Sequence, residues 1–218
     1  MTTVLHQPKT ALYQQFPSEE ALMALAEDRR IEVIDGVVVE YSQTNFTGEA
    51  GTRMSPVGGL HHFIAGNLYD RLKAHVSREN LGFVFMDGLL FLLAKNEHGL
   101  VGARVPDVAY VSYADVPSDW DIQRPFPGAP TLAVEVISPQ ETPEDILAKV
   151  RAFLDAGTAQ VWVAYPGIRE VHQYFRDKPI VQTYQHPEEM IDADTLLPGI
   201  QLSIADIFHI PELKPRGE

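Results

Sequence analysis

The sequence predicts an α/β fold: a mixed β-sheet flanked by helices, in a single domain. Three observations carry that expectation. Short apolar runs recur as strands, above all Val105–Tyr113 and Thr131–Ile137. A sharply bounded helix over 143–157 follows the second run and leads into a third, Gln160–Tyr165. Another helix, His61–Val76, sets Phe63, Ile64, Leu68, Leu72 and Val76 at helical spacing.

The elements follow in order. Residues 1–16 read as a loose arm and 17–218 as the domain, with no linker that would separate two cores. Pro17-Ser18-Glu19-Glu20 opens a short helix running to Ala26, with Ser18 near its N-cap. Ile31–Val39 reads as a hairpin turning at Asp35-Gly36. Residues 42–59 read as a polar, glycine-rich loop, long for a compact domain and therefore expected to be either mobile or functional. After the 61–76 helix, Phe83–Leu93 reads as one strand, with a turn near Asn96–Gly99. A proline-rich stretch leads to Thr131. Thr142-Pro143-Glu144-Asp145 supplies an N-cap, a first-turn proline and a capping acid, and Gly157 closes that helix. Pro166-Gly167 turns the chain into an antiparallel return, Glu170–Phe175, and a last short strand and terminal turn occupy 182–208.

Composition narrows the chemistry. There is no cysteine, which excludes disulfides, thiolate metal sites and cysteine nucleophiles. No apolar run approaches the roughly 20 residues that span a bilayer, and no signal peptide is visible, so the expectation is a cytoplasmic protein with no membrane partner. The net charge of −13 opposes nucleic acid in bulk. Contact with DNA then requires a local basic patch or metal ions, and the candidate cations (Arg53, Lys73, Arg104, Lys149, Arg151) are scattered.

Two acids stand inside apolar strands: Asp107 in Val105–Val111, and Glu135 in Leu132–Ile137. A buried carboxylate is costly unless a cation or a proton accompanies it. Strand alternation lets the two point to one face if their strands pair. Oxygen ligands of this kind suit Mg²⁺ (or Mn²⁺), which keeps several waters and binds one or two carboxylates with substrate phosphate. Lys149 borders the buried stripe of Ile146, Leu147, Val150, Phe153 and Leu154, so it can reach over the sheet toward both acids. The plainer alternatives stay open. Glu135 could be a structural acid paired with Lys149, and Lys149 could instead bridge to Asp145. Trp120 could stack a base or anchor its loop.

Pro106-Asp107, Glu135-Val136-Ile137-Ser138, Asp145 and Lys149 together resemble the PD-(D/E)XK nuclease superfamily, and more closely the Uma-two family of restriction-endonuclease-like proteins. Ile31–Gly36, Met54-Ser55-Pro56 with His61, Leu196–Ile200 and Asp206-Ile207-Phe208 extend the resemblance over most of the chain. It implies a restriction endonuclease-like αβββαβ core and Mg²⁺-dependent hydrolysis of DNA phosphodiester bonds. Asp107, Glu135 and the Val136 carbonyl would hold the metal, and Lys149 would place the water. The superfamily's usual lysine, two residues after the glutamate, is here Ile137; Lys149 takes its role. Glu32 and His61 are carried over as outer residues of the same site. A non-catalytic nuclease-fold protein that binds metal or a protein partner is the alternative. Nucleases that cut both strands often pair, which leaves room for a homodimer through Glu170–Phe175 or the 42–59 loop.

Overall fold

The structure, a computed structural model, describes residues 10–26, 30–41, 58–139 and 141–212. Residues 1–9 of the expected arm, and 42–57 of the expected loop with Met54-Ser55-Pro56, lie outside them. The chain packs as two compact units, each assembled from three segments.

The first unit comprises Met1–Val57, Asp87–Pro106 and Pro117–Ala129. Its strands are β1 (Thr10–Gln15), β2 (Arg30–Ile34), β3 (Val37–Tyr41), β5 (Phe91–Asn96) and β6 (Gly99–Arg104), in the sheet order β1-β3-β2-β6-β5. Helix α1 (Glu19–Ala26) starts where expected, with Ser18 Oγ accepting the Ala21 N–H at 3.2 Å. The β2–β3 hairpin turns at Asp35 and Gly36, both at positive φ, as a primed two-residue turn requires. Leu22, Ile31, Val33, Val38, Leu100 and Ala103 form the core. Residues 10–15, read as part of a loose arm, pair with β3 as an edge strand.

The second unit comprises Gly58–Met86, Asp107–Val116 and Pro130–Glu218. Its sheet adds β4 (Gly82–Met86), β7 (Val108–Ser112), β8 (Leu132–Val136), β9 (Gln160–Tyr165), β10 (Glu170–Phe175) and β11 (Val181–Tyr184), in the order β11-β10-β9-β8-β7-β4. Only β8 and β9 run parallel, because α3 (Pro143–Asp155) provides the crossover between them. On one face, Val108, Tyr110, Leu132, Val134, Val136 and Trp162 pack with Ile64, Leu68, Leu72 and Val76 of α2 (Gly59–Arg78). The short α4 (Ile204–Ile207) joins that core through Ile204 and Ile207. The opposite face carries Ala109, Ala133, Val161 and Val163, and α3 turns its buried Ile146, Val150 and Phe153 inward.

Further expectations change. Phe83–Leu93 is two strands, because the chain breaks at Gly88 (φ 120°) and passes from one unit to the other. β6 was not anticipated; Gly99 and Gly102 dilute its strand signal. Leu147 is exposed and stands off the apolar stripe. Glu170–Phe175 is not an exposed strand: it is hydrogen-bonded to β9 and β11, with Val171 and Gln173 fully buried, so it offers no edge to a second copy.

Candidate metal centre

β7 and β8 pair antiparallel with Val108 opposite Val134 and Ala109 opposite Ala133. That register, continued by one residue beyond the ladder, would set Asp107 opposite Glu135, on the face of Ala109 and Ala133. Pro106, just before Asp107, has no N–H, and pairing of the strand begins only at Val108. Asp107 therefore stands at the mouth of the strand, one residue before the ladder begins. Both acids are buried, with 6% and 5% of their surface exposed.

Each carboxylate is held. Val136 N–H donates to Asp107 Oδ2 at 2.7 Å, replacing the missing strand partner with a side chain. His61 Nε2, in the first turn of α2, lies 3.3 Å from Asp107 Oδ1. Burial alone would raise the Asp107 pKa. The hydrogen bond and charge of His61, the Val136 amide and the charge of Lys149 together outweigh it and hold the carboxyl below its ordinary range.

Lys149 Nζ lies 3.0 Å from Glu135 Oε2. The capping box at Thr142 and Asp145 starts α3 at a defined residue, and Lys149 falls on the flank between Ile146, Val150 and Phe153. The lysine thus reaches the sheet as its position in the stripe predicts. Asp145 is the capping acid, its Oδ2 accepting from Thr142 Oγ1 at 2.8 Å. Sequence reasoning missed Glu141, whose Oε1 is 2.7 Å from Lys149 Nζ. It precedes the helix in a loop without periodicity, and only the turn from β8 into α3 brings it to the lysine.

The remaining candidates separate by unit. His61 and Val136 stand with Asp107 and Glu135 in the second unit. Glu32 belongs to the first, where Arg104 Nη1 holds its carboxylate at 2.7 Å and Val105 N–H donates to it. Trp120 anchors its loop: its ring meets Phe126 edge-on at 5.0 Å, and its N–H donates to the carbonyls of Arg124 and Pro125.

The donor set fits a small, hard divalent cation. It offers two buried carboxylates from adjacent strands. Val136 adds a carbonyl that points to the same strand edge as its N–H, hence toward Asp107. Among the described residues, no group of three or more His, Cys, Asp or Glu side chains is arranged to hold a metal. An ion here would keep water or substrate oxygens in its remaining positions, which is the habit of Mg²⁺ and Mn²⁺ and not of a structural zinc.

Comparison with known proteins identifies the fold and the family. The fold is that of a solved structure described as a putative nuclease belonging to DUF820 from Anabaena variabilis: the TM-score is 0.68 at 17% identity, over 88% of this chain and 97% of that one. The fold is therefore restriction endonuclease-like. No curated protein matches the chain. Residues 12–205 match Uma2, a family described as "Putative restriction endonuclease". That match runs through both units and contains Asp107, Glu135 and Lys149, and the chain belongs to the Uma2 family.

Proposed function

We propose that this protein is a Mg²⁺- or Mn²⁺-dependent endonuclease that hydrolyses DNA phosphodiester bonds. The observation that carries the reading is the bond of 2.7 Å from the Val136 N–H to Asp107 Oδ2, which holds Asp107 beside the strand that bears Glu135, with Lys149 3.0 Å from Glu135. Asp107, Glu135 and the Val136 carbonyl would hold the ion. When bound, it supplies Lewis-acid stabilisation of the phosphate charge and a more acidic water.

The chain's own residues do the rest. Val136 N–H and His61 hold the Asp107 carboxylate in orientation, and Asp107 stays ionised at neutral pH. Lys149 brings a positive charge to the same cleft, where it can orient the attacking water or bind a phosphate oxygen. Ile137 cannot supply this group from the strand, so the helix does. The proposal extends to a cytoplasmic enzyme acting on DNA, built as one functional domain from both units; assembly as a homodimer is compatible with it. Membership of the Uma2 family supports the nuclease reading. Among the described residues no helix is long and apolar enough to cross a membrane.

A second reading has an observation in its favour. Lys149 is already paired with Glu135 and Glu141, and the net charge is −13, so a nuclease-fold protein that binds a partner and cuts nothing would look similar here. Plasmid nicking separates the two. The wild type is expected to nick supercoiled DNA with Mg²⁺ or Mn²⁺ and to stop in chelator. Asp107→Ala and Glu135→Ala should each lower the rate by about a hundredfold or more while remaining folded. No cleavage of DNA or RNA by the wild type across metals, or unchanged cleavage by both variants, would sink the nuclease reading.

A further inference from the structure

Lys149 serves two acids, and they are unlike. Glu135 projects from a central strand with its side chain 7% exposed; Glu141 sits in the loop between β8 and α3 with its side chain 22% exposed. Nζ is closer to Glu141 Oε1, at 2.7 Å, than to Glu135 Oε2, at 3.0 Å. Ser138 N–H donates to the other Glu141 oxygen, Oε2, at 2.8 Å. The Glu141 carboxylate is therefore anchored at one oxygen by backbone and turned at the other toward the ammonium. Its position is set by the loop and does not depend on the strand acids.

We propose that Glu141 is a positioning residue that takes the Lys149 ammonium off Glu135 when a divalent cation occupies the Asp107–Glu135 pair. The inference rests on the metal reading above and goes beyond it. A cation and the ammonium compete for the same Glu135 carboxylate, and like charges in one small cleft repel. Glu141 adds the negative charge that Lys149 subtracts, and it holds the lysine within reach of the site. Without Glu141, Glu135 has to serve both cations.

The test is Mn²⁺ binding to the full chain, read from the electron paramagnetic resonance of the free ion, with no cleavage required. Four proteins form a double-mutant cycle: wild type, Glu141→Gln, Lys149→Met and the double variant. Glutamine keeps an oxygen for Ser138 N–H, so the loop is retained, and melting curves in chelator check this. Glu141→Gln is expected to weaken Mn²⁺ binding about tenfold, a typical size for coupling between sites. Lys149→Met should bind at least as tightly as wild type. In the Lys149→Met background the Glu141→Gln change should cost about threefold or less, because its effect runs through the lysine. An equal loss in both backgrounds, or none in the wild type, overturns the proposal. If Mn²⁺ binding is abolished by Asp107→Asn/Glu135→Gln yet indifferent to Glu141→Gln, the metal site stands and the role of Glu141 falls. If the wild type binds no Mn²⁺, both fall.

Discussion

At the residue scale, the site solves a problem of bare charge. Asp107, just before β7, is bonded to the amide of Val136, the neighbour of Glu135 on β8, and two unaccompanied carboxylates so placed would repel. The protein meets this by giving each acid its own partners: Val136 N–H and His61 for Asp107, Lys149 for Glu135. Glu135 is the more exposed to loss, since it is buried and leans on a long, flexible side chain. Lys149→Met should therefore lower stability in chelator by about 1–3 kcal/mol, the cost of leaving a buried acid short of its cation. Mn²⁺ should return most of that loss, because the ion substitutes for the ammonium in pairing Glu135. Urea unfolding with and without the metal measures both effects. A variant that is destabilised and ignores Mn²⁺ would mark the pair as structural.

At the element scale, helix termini place the functional groups. The capping box at Thr142 and Asp145 fixes the first turn of α3, and one further turn carries Lys149 over the sheet. A matching box at Ser203 and Asp206 fixes α4, which packs Ile204 and Ile207 into the α2 face. Asp206 also meets Arg71 of α2 at 2.7 Å. Burial pushes the Asp206 pKa up, but the Ser203 hydrogen bonds and the Arg71 and His209 charges outweigh it, so the net shift is downward. Folding thus favours the ionised form. Its contribution is present above the ordinary carboxylate range and is lost as pH falls through the depressed value. Asp206→Ala should cost about 0.5–1 kcal/mol near pH 7, most of it from the cap, since the exposed ion pair adds little. The gap from wild type should narrow in acid, once pH has fallen below the ordinary carboxylate range and through the depressed value, where the wild-type carboxyl takes up its proton. Denaturant curves at neutral pH and in acid test the sign; a gap that widens in acid would contradict it.

At the scale of the whole molecule, charge decides how DNA can approach. A net charge of −13 repels a polyanion, and the described centre is itself built from carboxylates. A divalent cation reverses the local sign. Binding of a labelled DNA oligonucleotide should therefore be weak in chelator and rise about tenfold or more when Ca²⁺ is added to hold the site without turnover. Asp107→Asn/Glu135→Gln should abolish that gain. Fluorescence anisotropy reads it directly, and metal-independent binding would point to a basic surface away from the acids. The interleaving of the two units belongs to this scale as well: with three segments each, neither can be excised as one stretch of chain.

The sequence by itself determined the class of fold and most of the residues of the candidate centre. Buried acids in apolar runs are legible because burial of charge is expensive wherever it occurs, and Asp107 and Glu135 stand out on that ground alone. The bounds of α3 were legible because caps are local chemistry, and its period places Lys149 on the inward flank. Tertiary structure decided what depends on neighbours far along the chain. Whether Phe83–Leu93 is one strand or two turns on which sheet each half joins, and periodicity does not encode that choice. Glu170–Phe175 looks like a half-exposed edge because its buried positions include polar ones. Gln173 donates to Gln160 and the Asp192 carbonyl and accepts from Tyr184, and these partners exist only once the sheet has formed. Glu141 was invisible for the same reason: a loop acid has no pattern, and its meaning comes from the 2.7 Å that folding leaves between it and Lys149.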